Sequence, residues 1–110
     1  MASLIRLDNG QIFNITNKID IIGRGSSASI FLDEDGVSRN HAEIFIMGGC
    51  VEIIDLNSRN GISVNGEKTR KCFLNNGDKI AIGCVELAFS NEVLEKNQTI
   101  NIILKNQFTQ

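Results

Sequence analysis

Apolar residues in this chain come in short stretches whose period is two rather than three or four. Val85, Leu87 and Phe89 alternate with Glu86 and Ala88, and Ile80 and Ile82 bracket Ala81, the alternation of a strand that buries one face. Residues 43–47 and 51–56 are denser in apolar side chains, which suits central strands covered on both sides. Between the stretches stand Asn9-Gly10, Gly48-Gly49, Asn60-Gly61, Asn65-Gly66 and Asn76-Gly77. Tight turns need positive φ, which Gly adopts freely and Asn tolerates, so these pairs predict hairpins and turns. No segment sustains a helical period over about twelve residues, and there is no internal repeat or low-complexity linker. The pattern predicts an all-β fold, a sandwich of two antiparallel twisted sheets. We expect one domain over residues 1–96 and a C-terminal extension over 97–110, in which residues 99–104 form either an extra strand or a tail.

Composition narrows the function classes. The chain has 110 residues, of which 42% are hydrophobic, enough for one core. A formal net charge of −2 supplies no general basic field for nucleic acid or anionic membrane, so any anion site must be local. Trp and Tyr are absent and the six Phe fall mostly in strand-like positions, which argues against base stacking on single-stranded nucleic acid. There is no apolar run long enough to span a membrane and no basic-then-apolar start. We therefore expect a soluble, intracellular and by default cytoplasmic protein, and a monomer. Cys50, Cys72 and Cys84 lie in or beside apolar stretches and are read as reduced core or strand residues. Asn14-Ile15-Thr16 and Asn97-Gln98-Thr99 fit a glycosylation pattern but are read as coincidences.

Residue types suited to anions concentrate in three turn regions. The first is Gly23-Arg24-Gly25-Ser26-Ser27, the second Gly36-Val37-Ser38-Arg39-Asn40-His41, and the third Asn57-Ser58-Arg59-Asn60-Gly61. Arg offers a planar fork of donors matched to phosphate oxygens, Ser a rotatable hydroxyl, and Gly lets backbone N–H groups approach an anion. Loops at one end of a sandwich can converge, and phosphate is the guest that such a set would take.

The order Gly-Arg, Ser-Arg-x-His, Asn-Gly and Val-Asn-Gly from Gly23 to Gly66, continued by Asn76-Gly77-Asp78-Lys79-Ile80-Ala81-Ile82-Gly83, resembles the forkhead-associated (FHA) family over roughly residues 3–90. The resemblance implies recognition of phosphothreonine in an extended peptide of a partner protein, a serine/threonine kinase or its substrate, with no catalysis and no cofactor. It implies that Arg24 pairs with phosphate oxygens and that the Ser38 hydroxyl donates to them. Arg39 would stand near the phosphate or peptide backbone, Asn60 would hold the peptide main chain, and Arg59 would face the ligand. Gly23, His41, Gly61, Asn65 and Gly66 would be architectural. The position two before Ser38, which influences selectivity in such domains, is Gly36 here and follows Asp33-Glu34-Asp35. Strongly acidic residues downstream of the phosphothreonine are therefore not expected to be preferred.

Other chemistries fit less well. Ser38, His41 and Asp55 are the residue types of a hydrolytic triad, but no Gly-x-Ser-x-Gly elbow accompanies them. Gly23-Arg24-Gly25 is not followed by Gly-Lys-Ser/Thr, as a nucleotide loop would be. The cysteines are scattered without a Cys-x-x-Cys, so no metal is expected. Lys68, Arg70 and Lys71 form a short basic run, either a solvated face or an aid in attracting an anionic peptide. The rival functional class is a scaffold or oligomerisation domain on the same fold, binding without phosphate, for which an exposed strand at residues 99–104 would supply an edge.

Overall fold

The computed structural model describes residues 2–91, and within them the chain forms strands joined by turns, with no helix. The strands are β1 (Ser3–Arg6), β2 (Ile12–Asn14), β3 (Ile19–Gly23), β4 (Ile30–Phe31), β5 (Ala42–Met47), β6 (Cys50–Asp55), β7 (Ile62–Val64), β8 (Glu67–Thr69), β9 (Lys71–Phe73), β10 (Lys79–Ile82) and β11 (Val85–Ser90). They make a six-stranded sheet in the order β2-β1-β11-β10-β7-β8 and a five-stranded sheet in the order β4-β3-β5-β6-β9. The extension proposed for residues 97–110, with its strand at 99–104, lies outside the described residues.

Alternation places the core between the sheets. Ile22, Ile44 and Ile53 from the five-stranded sheet meet Leu4, Ile62, Ile80, Ile82, Leu87 and Phe89 from the other, and each is at most 1% exposed. Burying one such side chain stabilises the fold by about 1.5–3 kcal/mol. This interior therefore holds the loop ends in place. The Asn-Gly pairs do what their chemistry predicts at β7–β8, where Val64 pairs with Glu67 across a two-residue turn and both Asn65 (φ 52) and Gly66 (φ 85) are left-handed. That is the backbone of a type I′ hairpin, whose twist matches that of its strands.

The structure corrects three expectations. The strands β5 and β6 are central in their sheet, yet only one face is covered. Ile44 and Ile53 point inward with zero exposure, whereas Phe45, Glu52 and Ile54 are half-buried and Met47 and Cys50 exposed on the outer face. On this face the Lys18 ammonium lies 5.9 Å from the Phe45 ring centre. Second, the five-stranded sheet is mixed, because the loop after Gly23 doubles back and sets Ile30 and Phe31 parallel to Ile22 and Gly23. Third, the cysteines are free and Cys50 and Cys72 are strand residues as expected, but Cys84 is neither a core nor a strand residue. Cys50 and Cys84 are exposed and Cys72 is half-buried, and Cys84 occupies the β10–β11 turn rather than a strand. Proximity to apolar residues in sequence was not burial, since neighbours on a strand face opposite ways.

Candidate functional site

All three anion-suited turns emerge from the same end of the sandwich, after β3, before β5 and after β6. The first two are joined through their main chains. Arg24 N donates to Ser38 O at 3.0 Å and Gly25 N to Arg39 O at 3.0 Å, while His41 N donates to Ile22 O at 2.8 Å. This approach explains Gly23, whose backbone is not left-handed. A Cβ there would stand 2.0 Å from the Arg39 carbonyl oxygen, far inside van der Waals contact. Ser27 Oγ and Asn40 Oδ1, 3.2 Å apart, add a side-chain link between the same loops.

His41 ties the second loop to the third. Its ring is completely buried. Nδ1 accepts the Ser38 N–H at 3.0 Å and Nε2 lies 2.7 Å from Gly61 O, so a neutral ring carrying its proton on Nε2 satisfies both partners. The imidazole therefore has no free nitrogen with which to act as a base. Asp55 does not orient it either. That carboxylate accepts from the backbone N and hydroxyl of Ser58, and Ser58 Oγ in turn accepts Gly61 N at 2.9 Å. The hydrolytic arrangement is thus excluded by geometry, and these residues are instead the internal frame of the third loop.

Between the loops lies a cavity of about 330 Å³ lined by Arg24, Gly36, Val37, Ser38, Arg59 and Asn60. Ser38 Oγ accepts the Arg59 backbone N–H at 3.1 Å, which occupies a lone pair and leaves its O–H to donate to a ligand. Asn60 Nδ2 donates to Gly36 O at 2.9 Å, bracing the second loop while its amide oxygen stays uncommitted. Among the described residues no carboxylate pairs with Arg24, Arg39 or Arg59; the ion pairs formed there belong to Arg6 and Lys79. Two guanidinium groups and a hydroxyl donor lining one concavity are residue types suited to an anion.

The expected site residues are thus divided. Arg24, Ser38, Arg59 and Asn60 are brought together, with Gly23, His41 and Gly61 directly beneath or behind them. Arg39 does not line the cavity; its side chain is exposed and its carbonyl serves Gly25. Asn65 and Gly66 lie at the far end of β7, where Asn65 Nδ2 donates to Asp78 and its Oδ1 accepts Lys79 N, fastening the hairpin to the turn before β10. Sequence reasoning missed Val37, the one aliphatic side chain in the cavity wall. It also missed the β10–β11 turn as a buttress, since a Cβ on Gly83 would stand 2.7 Å from Gly36 O. No local signal marks either contact, because each joins loops remote in sequence.

An all-β sandwich with a cationic cup of loops at one end is the class that fold and site define. Residues 21–83 match the FHA domain family, and the chain belongs to it. It is 40% identical over 82 residues to an oxoglutarate dehydrogenase inhibitor of Corynebacterium jeikeium, an alignment covering 74% of this chain and 57% of that protein. The chain thus spans a little over half the length of that relative. Among solved structures it resembles an FHA domain from an analysis of phosphothreonine-dependent FHA interactions, with a TM-score of 0.80 at 35% identity, covering 84% of this chain and 98% of that one. It also resembles EmbR of Mycobacterium tuberculosis in complex with a low-affinity phosphopeptide, with a TM-score of 0.82 at 35% identity, covering 86% of this chain and 25% of that one.

Proposed function

We propose that this chain is a phosphothreonine-dependent interaction module that recruits a phosphorylated partner and catalyses nothing itself. The observation that carries the reading is the convergence of Arg24, Ser38, Arg59 and Asn60 on one cavity in which, among the described residues, no carboxylate pairs with the cations. Arg24 and the Ser38 hydroxyl take phosphate oxygens, Asn60 holds the peptide main chain through its free amide oxygen, and Arg59 flanks it. Arg39 adds positive charge behind the cup rather than within it. Val37 is the apolar wall against which the threonine methyl rests, worth about 0.8 kcal/mol if fully buried. A solved FHA relative studied for phosphothreonine-dependent interactions supports the same ligand class.

Phosphate carries about −1.5 to −2 charges at neutral pH, and each hydrogen bond to a charged group contributes about 1.5–3 kcal/mol. Two or three of these supply most of the roughly 8 kcal/mol of a micromolar complex. The natural partner is then a serine/threonine kinase or one of its substrates, and the module acts where such kinases do, inside the cell. Gly36 puts no cation at the position two before Ser38, and Asp33, Glu34 and Asp35 precede it, so acidic residues downstream of the phosphothreonine gain no partner there.

A second reading has one observation in its favour. Ile19, Phe31, Met47 and Phe73 are each roughly half exposed on the five-stranded sheet, a surface that a phosphate-independent scaffold could use. Calorimetry with matched phosphorylated and unphosphorylated threonine peptides separates the two. We expect affinity for the phosphorylated form alone, whereas equal affinity for both removes the phosphothreonine reading.

A further inference from the structure

An exposed cation lies against the last residue of the third loop. Lys68, on the edge strand β8, is exposed, and its side chain folds over Gly61. Its Cε lies 2.7 Å, and its Nζ 3.4 Å, from the point where a Cβ on Gly61 would stand. Gly61 has a left-handed backbone (φ 73), and the end of the flexible Lys68 side chain lies over it. Gly61 directly follows Asn60, which lines the cavity, so the Lys68 side chain covers the backbone next to a cavity-lining residue. No carboxylate among the described residues pairs with Lys68. Its neighbour Glu67 points to the opposite face of β8 by strand alternation, where it lines a different cavity with Asp78. The carboxylate at the end of β6, Asp55, is already engaged by Ser58.

Resting on the phosphothreonine reading above, we propose that Lys68 is a specificity residue: it selects phosphopeptides carrying an Asp or Glu close to the phosphothreonine, on the side that crosses the third loop. The phosphate anchors the peptide at Arg24 and Ser38, the main chain passes Asn60, and the acidic side chain pairs with the Lys68 ammonium. An exposed ion pair of this kind is weak and salt-sensitive, so it tunes the choice among phosphopeptides rather than creating affinity.

The test is a set of phosphothreonine peptides with a single Glu placed in turn at each of the three positions before and after the phosphorylated residue, together with an all-neutral phosphopeptide and unphosphorylated controls. Binding is measured by calorimetry at low and high salt to the wild-type chain, Lys68→Ala and Lys68→Glu. We expect one Glu position to bind about two- to fivefold tighter than the neutral peptide at low salt, to lose that advantage at high salt, and to bind worse than neutral with Lys68→Glu. The neutral phosphopeptide should change little, and the melting temperature should hold. An absent preference at every position, or one untouched by Lys68→Glu, overturns the assignment while leaving phosphate dependence intact. Equal binding of phosphorylated and unphosphorylated peptides would instead remove the underlying reading, and this one with it.

Discussion

Replacing His41 with Ala tests whether the cup is held from beneath. The substitution empties a completely buried imidazole site and strands two polar groups that the ring now satisfies, Ser38 N–H at 3.0 Å and Gly61 C=O at 2.7 Å. A buried polar group left without its partner costs about 1–3 kcal/mol, so the two together remove roughly 2–6 kcal/mol before any cavity contribution. Water entering from the open side of the loops would bring the value toward the lower end. Small domains have only about 5–15 kcal/mol in total, and in this size range 1 kcal/mol shifts the melting temperature by about 4–8 °C. We therefore expect melting to fall by at least about 8 °C. With no Trp or Tyr in the chain, far-UV circular dichroism is the suitable probe. Binding of a phosphothreonine peptide, measured well below the new melting point, should weaken at least about tenfold, because Ser38 and the Asn60–Gly61 backbone lose their common brace. A melting shift under about 3 °C with unchanged affinity would refute the idea that the ring joins the loops.

Arg24→Ala should separate binding from folding: its side chain is exposed and unpaired among the described residues, so stability should stay within about 0.5 kcal/mol. Phosphopeptide affinity, by calorimetry, should fall about 10- to 150-fold, the equivalent of one charged hydrogen bond. Gly23→Ala should destabilise more than Gly66→Ala in urea titrations. The former drives a methyl to 2.0 Å from Arg39 O, whereas the latter meets nothing within 4 Å and incurs only its left-handed backbone, about 1 kcal/mol. For the cysteines, burial pushes the Cys72 thiol up, with Asp78 and Glu52 adding to the effect, so less thiolate is present at a given pH. Alkylation mapped by mass spectrometry at mildly alkaline pH should reach exposed Cys50 and Cys84 first, and Cys72 should gain most as pH rises.

Much of the site could be read before any coordinates, because its parts are local. Arg24, Ser38, Arg59 and Asn60 sit in turns that Gly and Asn announce, and their donor chemistry suits phosphate whatever surrounds them. The reading failed where an outcome depended on which face a strand turns inward. Residues 43–47 and 51–56 look doubly covered but have a single covered face, and Cys84, beside apolar residues, occupies a turn. Arg39 is adjacent to Ser38 in sequence, but it does not line the cavity, while its carbonyl accepts the Gly25 N–H.

The alternation of apolar residues and the placing of Asn-Gly turns determined that this chain is a β-sandwich, since both act over a few residues and need no distant partner. Tertiary structure alone decided that Gly23 must admit the Arg39 carbonyl, that Gly83 must admit Gly36, that His41 bridges two loops, and that Lys68 lies over Gly61. Each of these is a contact between segments separated along the chain, and such contacts exist only once two sheets have packed and brought their connections to one end.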